Sequence, residues 1–160
     1  LYLMLSHGIV SGALFLCVGI LYDRYHTRLL LYYGGLASFM PIFSGFFLIF
    51  TLSNIGLPGT SSFVGEFLII LGTVQFNFIV IFLGAISVIL GAVYALWLYN
   101  RVMFGLLKSD YLEYFCDINK REFFILLPLS FFSIYGGLYP KIFFDTFELS
   151  LLFNLKFLEI

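Results

Sequence analysis

Between Leu29 and Asn100 lie 72 residues carrying one formal charge, that of Glu66. A run this long and this apolar cannot be one membrane crossing, which takes about 20 residues. Just before Glu66, Gly56-Leu57-Pro58-Gly59-Thr60-Ser61-Ser62-Phe63-Val64-Gly65 places three glycines, one proline and three hydroxyl residues in ten positions. That composition breaks a regular helix. Broken backbone and a carboxylate are both costly in hydrocarbon, and are tolerated only where protein or a water-filled cavity surrounds them. Discontinuous helices carry ion and substrate sites in transporters. The first expectation is an ion or proton site inside a membrane.

Composition supports that setting. The chain is 62% hydrophobic and 11% charged, where a soluble domain carries about 25% charge. A net charge of −1 offers nothing to nucleic acid. Cys17 and Cys116 are far apart and form neither a metal-binding nor a CxxC spacing. The chain opens on Leu1, and the apolar stretch that follows lacks the pattern of a signal peptide. A fragment or a split chain is therefore expected. The 22 Phe and 11 Tyr fit an AT-rich organellar genome.

In chain order, Leu1 to Tyr22 is uncharged and long enough for one span. It contains His7, with Ser6 and Ser11 beside it, His7 and Ser11 being suitably spaced for a hydrogen bond. Gly8 and Gly12 form a GxxxG pair that permits close helix approach. A charged loop, Asp23 to Arg28, follows. Phe39 to Val74 reads either as two crossings or as one broken crossing. The single broken crossing puts Arg24, Arg28, Arg101, Lys108, Lys120 and Arg121 on one side of the membrane, the matrix side, as the positive-inside rule favours. Phe78 to Phe104 is the cleanest spanning helix. Gly84, Ser87, Gly91 and Ala95 form its small-residue packing face, and Tyr94, Trp97 and Tyr99 suit an interface. Gly105 to Glu122 is a polar loop. Phe123 to Tyr139 is a last, short span with Pro128 inside and Pro140 stopping it. In Lys141 to Ile160, Phe144, Phe147, Leu151, Leu155 and Leu158 recur at helical spacing, as in an amphipathic helix. The fold class expected is all-α integral membrane. It has about four crossings, one a discontinuous helix, followed by an amphipathic C-terminal helix. Residues 1–140 make the membrane domain and 141–160 the tail.

Glu66 is the candidate proton carrier. A buried carboxylate titrates nearer neutrality than one in water, so both its states become accessible. The competing reading is a first-turn acid complementing a helix dipole at an interface. His7 is a candidate proton relay, because intramembrane ionisable residues usually face a bundle interior or a water path. Otherwise it is a neutral packing residue. His26 reads as solvated, and the Arg and Lys residues as topology determinants. The sequence contains no phosphate loop, nucleophile–base pair or metal-ligand pattern, so no cofactor or metal is expected in this chain.

Several segments resemble the NADH-ubiquinone oxidoreductase chain 4 family. They are Leu3-Met4-Leu5-Ser6-His7-Gly8, Leu21-Tyr22-Asp23-Arg24 with His26-Thr27-Arg28, and Tyr33-Gly34-Gly35-Leu36. To these are added Gly56-Leu57-Pro58-Gly59 with Phe63-Val64-Gly65-Glu66-Phe67, Leu96-Trp97-Leu98-Tyr99-Asn100-Arg101, and Arg121-Glu122 leading into Leu127-Pro128-Leu129. The resemblance runs to about Pro140. It implies an antiporter-like subunit of respiratory complex I built from two inverted five-helix repeats, each with one broken helix. It implies that Glu66 is the proton-carrying acid of the second broken helix, a slot typically filled by Lys in sister subunits. His7 would be the histidine on the preceding helix, in the hydrated central axis. The family's first repeat lies outside this sequence, which matches roughly the last third.

The expected function is proton translocation coupled to NADH oxidation by quinone. FMN, iron–sulfur clusters and quinone are expected elsewhere in the complex. Partners would be the other membrane-arm subunits, including the chain with the missing N-terminal part, and lipid, with no nucleic acid. The location would be the mitochondrial inner membrane, or alternatively a bacterial plasma membrane. Rival readings are a subunit of a related cation/proton antiporter or membrane-bound hydrogenase, or a purely structural assembly piece.

Overall fold

The computed structural model describes residues 1–75, 78–106 and 116–148. Helix α1 spans Tyr2–Tyr25, running on through Asp23 and Arg24 to a left-handed C-cap at His26, whose N–H bonds to Tyr22 O. Arg24 lies in its last turn, where a cation complements the helix dipole. Two short 3-10 turns, Leu30–Tyr32 and Leu36–Ser38, lead to α2, Pro41–Ile55. Proline suits α2's first turn because the N–H it lacks has no intrahelical partner there. The remaining helices are α3 (Ser61–Val74), α4 (Phe78–Met103) and α5 (Lys120–Leu138), and residues 141–148 are helical. The described residues contain no strand.

The helix positions resolve how Phe39 to Val74 crosses. Helices α2 and α3 have 15 and 14 residues, or about 20 Å each at 1.5 Å per residue. Neither spans a hydrocarbon core of about 30 Å. The 26-residue α4 packs along both. Ser44 of α2 shares a 2.9 Å hydrogen bond with Tyr99 near one end of α4. Glu66 of α3 shares a cleft with Ser87 and Gly91, farther towards its other end. Helices α2 and α3 therefore lie end to end, antiparallel to α4, as one broken crossing. With α4, α1 and α5 this makes four crossings among the described residues.

Helices α1 and α5 are antiparallel, joined at one end by a 2.6 Å hydrogen bond from the Tyr2 hydroxyl to Gly136 O. At the other end Arg24 meets Glu122 at 2.8 Å. At this second end Gly35 N–H also donates to Phe104 O at 3.2 Å. The loop after α1, the end of α4 and the start of α5 thus share one side, as the basic-residue count predicts.

That side is tied together by backbone caps. The Asp117 carboxylate accepts the N–H groups of Ile42 and Phe43 at 2.9 and 3.1 Å, placing an anion at the positive end of α2. Arg24 also donates to Asp117 O at 3.0 Å. Asn119 and Glu122 form a capping box, which starts α5 at Lys120 rather than Phe123. Near this end lies the main apolar core, including Cys17, Leu36, Met40, Phe43, Phe50, Met103 and Leu126. Tyr99 belongs to this core and bonds to Ser44, so it is not the interfacial residue its position suggested, whereas Tyr94 and Trp97 are exposed. The outer faces are apolar, α4's above all, as lipid requires.

Of the expected amphipathic tail, Phe144 and Phe147 line an apolar groove with Leu1, Tyr2, Leu3, Leu68 and Ile69. Leu151, Leu155 and Leu158 lie outside the described residues.

Candidate functional site

The discontinuity between α2 and α3 spans residues 56–60. Helix α2 ends at Gly56, left-handed at φ 78°, its N–H satisfying the Leu52 and Ser53 carbonyls. This is a glycine C-cap, a conformation that side chains with a Cβ disfavour. Gly59 also has positive φ, at 98°. Thr60 occupies the N-cap position of α3 with extended backbone, but its hydroxyl donates to Leu57 O at 2.8 Å and does not cap the helix.

The Gly136-Gly137 pair of α5 allows the break to pack closely. A Cβ on Gly137 would overlap Gly59 O and the Thr60 carbonyl carbon. One on Gly136 would come within 3.0 Å of Ser61 Cβ and of the Tyr2 hydroxyl. Next to them, the Ser53 and Ser133 hydroxyls share a fully buried 3.0 Å hydrogen bond. Ser6, Thr60, Ser61 and Ser62 are also buried. The centre of this membrane chain is consequently rich in buried hydroxyl groups.

Glu66 lies in the second turn of α3, half-buried. Its carboxylate folds back so that Oε2 occupies the space a Cβ on Gly56 would fill. It lines a cleft of about 210 Å³ with Asn54, Ile55, Ser87, Val88, Gly91 and Tyr94. The acid is thus set between the C-terminal end of one half-helix and the N-terminal part of the next. The cleft supplies hydroxyl and amide groups that can solvate either protonation state.

His7 is exposed on α1 and does not line the Glu66 cleft. No hydrogen bond between His7 and Ser11 is present: the one formed here is from Ser6 to Leu3 O, at 3.0 Å. Within this chain the two candidate residues are not brought together. Among the described residues, Gly8 and Gly12 have no heavy atom within 4 Å of where a Cβ would sit, so none of the described helices packs closely on this face of α1.

Sequence reasoning assigned Ser87 and Gly91 to packing, yet they form the wall facing Glu66. It did not single out Asn54, Tyr2 or the Gly136-Gly137 pair. In the sequence Asn54 follows Ser53 just ahead of the Gly56-Leu57-Pro58-Gly59 break, and these two adjacent polar residues in an apolar run are the one signal that points to it.

Residues 1–91 match a family of transmembrane proteins described as NADH:quinone oxidoreductase/Mrp antiporter. NADH-ubiquinone oxidoreductase chain 4 of Arabidopsis thaliana is 59% identical over 148 residues, covering 92% of this chain and 30% of that protein. NADH-quinone oxidoreductase subunit M of Rhodobacter capsulatus is 51% identical, covering 89% and 28%. The chain therefore spans about 30% of the length of these relatives. Among solved structures, a chain of respiratory complex I from Thermus thermophilus with bound NADH superposes with a TM-score of 0.82. Its identity is 33%, over 89% of this chain and 30% of that one.

Proposed function

This chain belongs to the NADH:quinone oxidoreductase/Mrp antiporter family of transmembrane proteins, and on that basis we propose that it moves protons within a larger membrane assembly. The reading is that it forms the C-terminal part of an antiporter-like subunit of a proton-translocating NADH:ubiquinone oxidoreductase. The chemistry of NADH, FMN, iron–sulfur clusters and quinone belongs to other subunits, and the remainder of the antiporter-like unit completes the proton route. Its setting is the mitochondrial inner membrane, the location consistent with the chain 4 relatives of plants and algae.

The observation that carries this reading is the Glu66 carboxylate, folded against Gly56 at the helix break and lining a polar cleft. In its protonated form the acid is cheap to hold at this depth. In its ionised form it draws on the Asn54 amide, the Tyr94 hydroxyl and the positive end of α3. A carboxylate balanced in this way accepts a proton from one side and releases it to the other when a neighbouring charge approaches or withdraws. The step moves only a proton and needs no covalent chemistry from this chain. His7 relays protons towards Glu66 through the part of the unit that covers α1.

The test is Glu66→Gln in the assembled complex, with assembly checked separately. The amide keeps the shape, removes the titratable group and is cheaper to bury than a charge. Proton pumping falls, and NADH oxidation coupled to it slows. Glu66→Asp, shorter by one methylene, is milder. A Glu66→Gln complex that assembles and pumps at full stoichiometry overturns the reading in favour of a structural role.

A further inference from the structure

The hydroxyls of Ser6, Thr51, Thr73, Ser87 and Ser130 follow one rule: each donates to the carbonyl three residues back, at 2.7–3.0 Å. Ser61 departs from it. It is the first residue of α3, so the carbonyl three residues back is Pro58 O, in the break, where the backbone is not helical. Its Oγ is buried and has no protein hydrogen-bond partner. A buried hydroxyl left in that state costs free energy, and in native proteins such groups are generally satisfied by ordered water.

The surroundings of Ser61 suit one water molecule. Ser61 lines a crevice between α1, α3 and α5 with Tyr2, Leu5, Ser6, Ile9, Phe132, Gly136 and Phe143. The space open to the centre of a water-sized sphere is about 10 Å³, roughly what one buried water needs. Hydrogen-bond capacity also matches. The Tyr2 hydroxyl spends its proton on Gly136 O, and the Ser6 hydroxyl spends its own on Leu3 O. Both oxygens keep lone pairs and lack a donor, whereas Ser61 has a donor and lacks an acceptor.

We infer that a single water is bound between Ser61, Tyr2 and Ser6, and that it ties the first turn of α3 to α1 beside the helix break. Ser61 Oγ–H donates to the water, and the water's two hydrogens go to Tyr2 Oη and Ser6 Oγ. The bridge joins α1 to the first turn of α3, the helix that carries Glu66. Tyr2 and Ser6 give their own protons to backbone carbonyls, which have none to hand on, so the water fixes α3 against α1 and does not itself conduct. The water site does not rest on the proton-carrying reading of Glu66.

The test is a high-resolution experimental map of the assembled complex, for the native protein and for Ser61→Ala. Density for one water within about 3.2 Å of Ser61 Oγ and of at least one of the other two oxygens is expected. In Ser61→Ala that density disappears and the helices stay in place. A native map in which Ser61 Oγ bonds to protein, or in which side chains fill the crevice, overturns the water site. Water that persists in Ser61→Ala overturns the assignment of Ser61 as its donor.

Discussion

Gly56 and Glu66 are mutually dependent: the carboxylate of Glu66 occupies the space in which any side chain at Gly56 would begin. The glycine that ends α2 also makes room for the acid of α3. Gly56→Ala therefore does two things. It puts a Cβ into left-handed backbone, at about 1–2 kcal/mol, and it displaces the carboxylate from its cleft. Gly59→Ala carries similar backbone strain, with φ 98°, but its Cβ meets nothing within 4 Å. Both variants should lose comparable stability, and only Gly56→Ala should lose most of its proton pumping. Equal pumping by the two variants would show that the Gly56–Glu66 contact is irrelevant.

The Gly136-Gly137 pair should be intolerant of bulk. A Cβ at Gly137 overlaps backbone atoms of Gly59 and Thr60, which cannot swing aside as a side chain would. Gly137→Ala should force α5 away from the break and destabilise the packing by about 1–3 kcal/mol or more. The expected readout is a lower thermal midpoint of the assembled complex, or less of it, as measured by native electrophoresis. A Gly137→Ala complex of native stability would contradict the close approach.

Arg24 and Glu122 connect α1 to α5, and their side chains are 12% and 13% exposed. Glu122 also accepts the Asn119 N–H at 2.8 Å. Removing Arg24 leaves a largely buried carboxylate without its cation, which should cost more than a surface pair's few tenths of a kcal/mol, on the order of 2–3 kcal/mol. In a double-mutant cycle, Arg24→Ala combined with Glu122→Gln should be less destabilising than the sum of the two single changes. Strict additivity would mean that the pair contributes nothing.

Burial pushes the Tyr33 phenol from 10.0 up to about 12, and its hydroxyl donates to Thr27 O at 2.7 Å. The folded protein therefore holds this proton more tightly than the unfolded chain does. The associated stability is fully present below about pH 10 and is lost as pH rises from 10 towards 12. Tyr33→Phe should be less stable at neutral pH but show a smaller further loss across that window. Thermal melts of both forms at several alkaline pH values would reveal the difference, and parallel curves would exclude this phenol as the cause.

His7→Ala should lower pumping less than Glu66→Gln does. His7 is exposed within this chain and does not line the Glu66 cleft, and water can fill the space of a missing imidazole in a polar cavity. A loss as large as that of Glu66→Gln would make His7 an obligatory carrier.

Much of this architecture was determined by the sequence alone. Apolar run length bounds the number of crossings, because the hydrocarbon core has a fixed thickness, and the placement of the basic residues favours one broken crossing over two for Phe39 to Val74. The break at residues 56–60 follows from Gly56, Pro58 and Gly59, which clustered together disfavour a continuous helix. The side on which the charged loops lie follows from the basic residues. Glu66 is conspicuous because a lone acid in 72 residues is expensive there. Only the tertiary structure decided what surrounds that acid. Gly56, Asn54 and Ser87 come to it from outside its own helix, and no spacing along the chain encodes which small residue faces an acid and which faces lipid. The same holds for Tyr99, whose aromatic ring suited an interface until Ser44 offered its hydroxyl a buried partner. Ser61, too, resembles every other intramembrane serine until the break removes the carbonyl it would have used. Local pattern specifies helices and their ends, whereas the partners of buried polar groups depend on which faces meet in space.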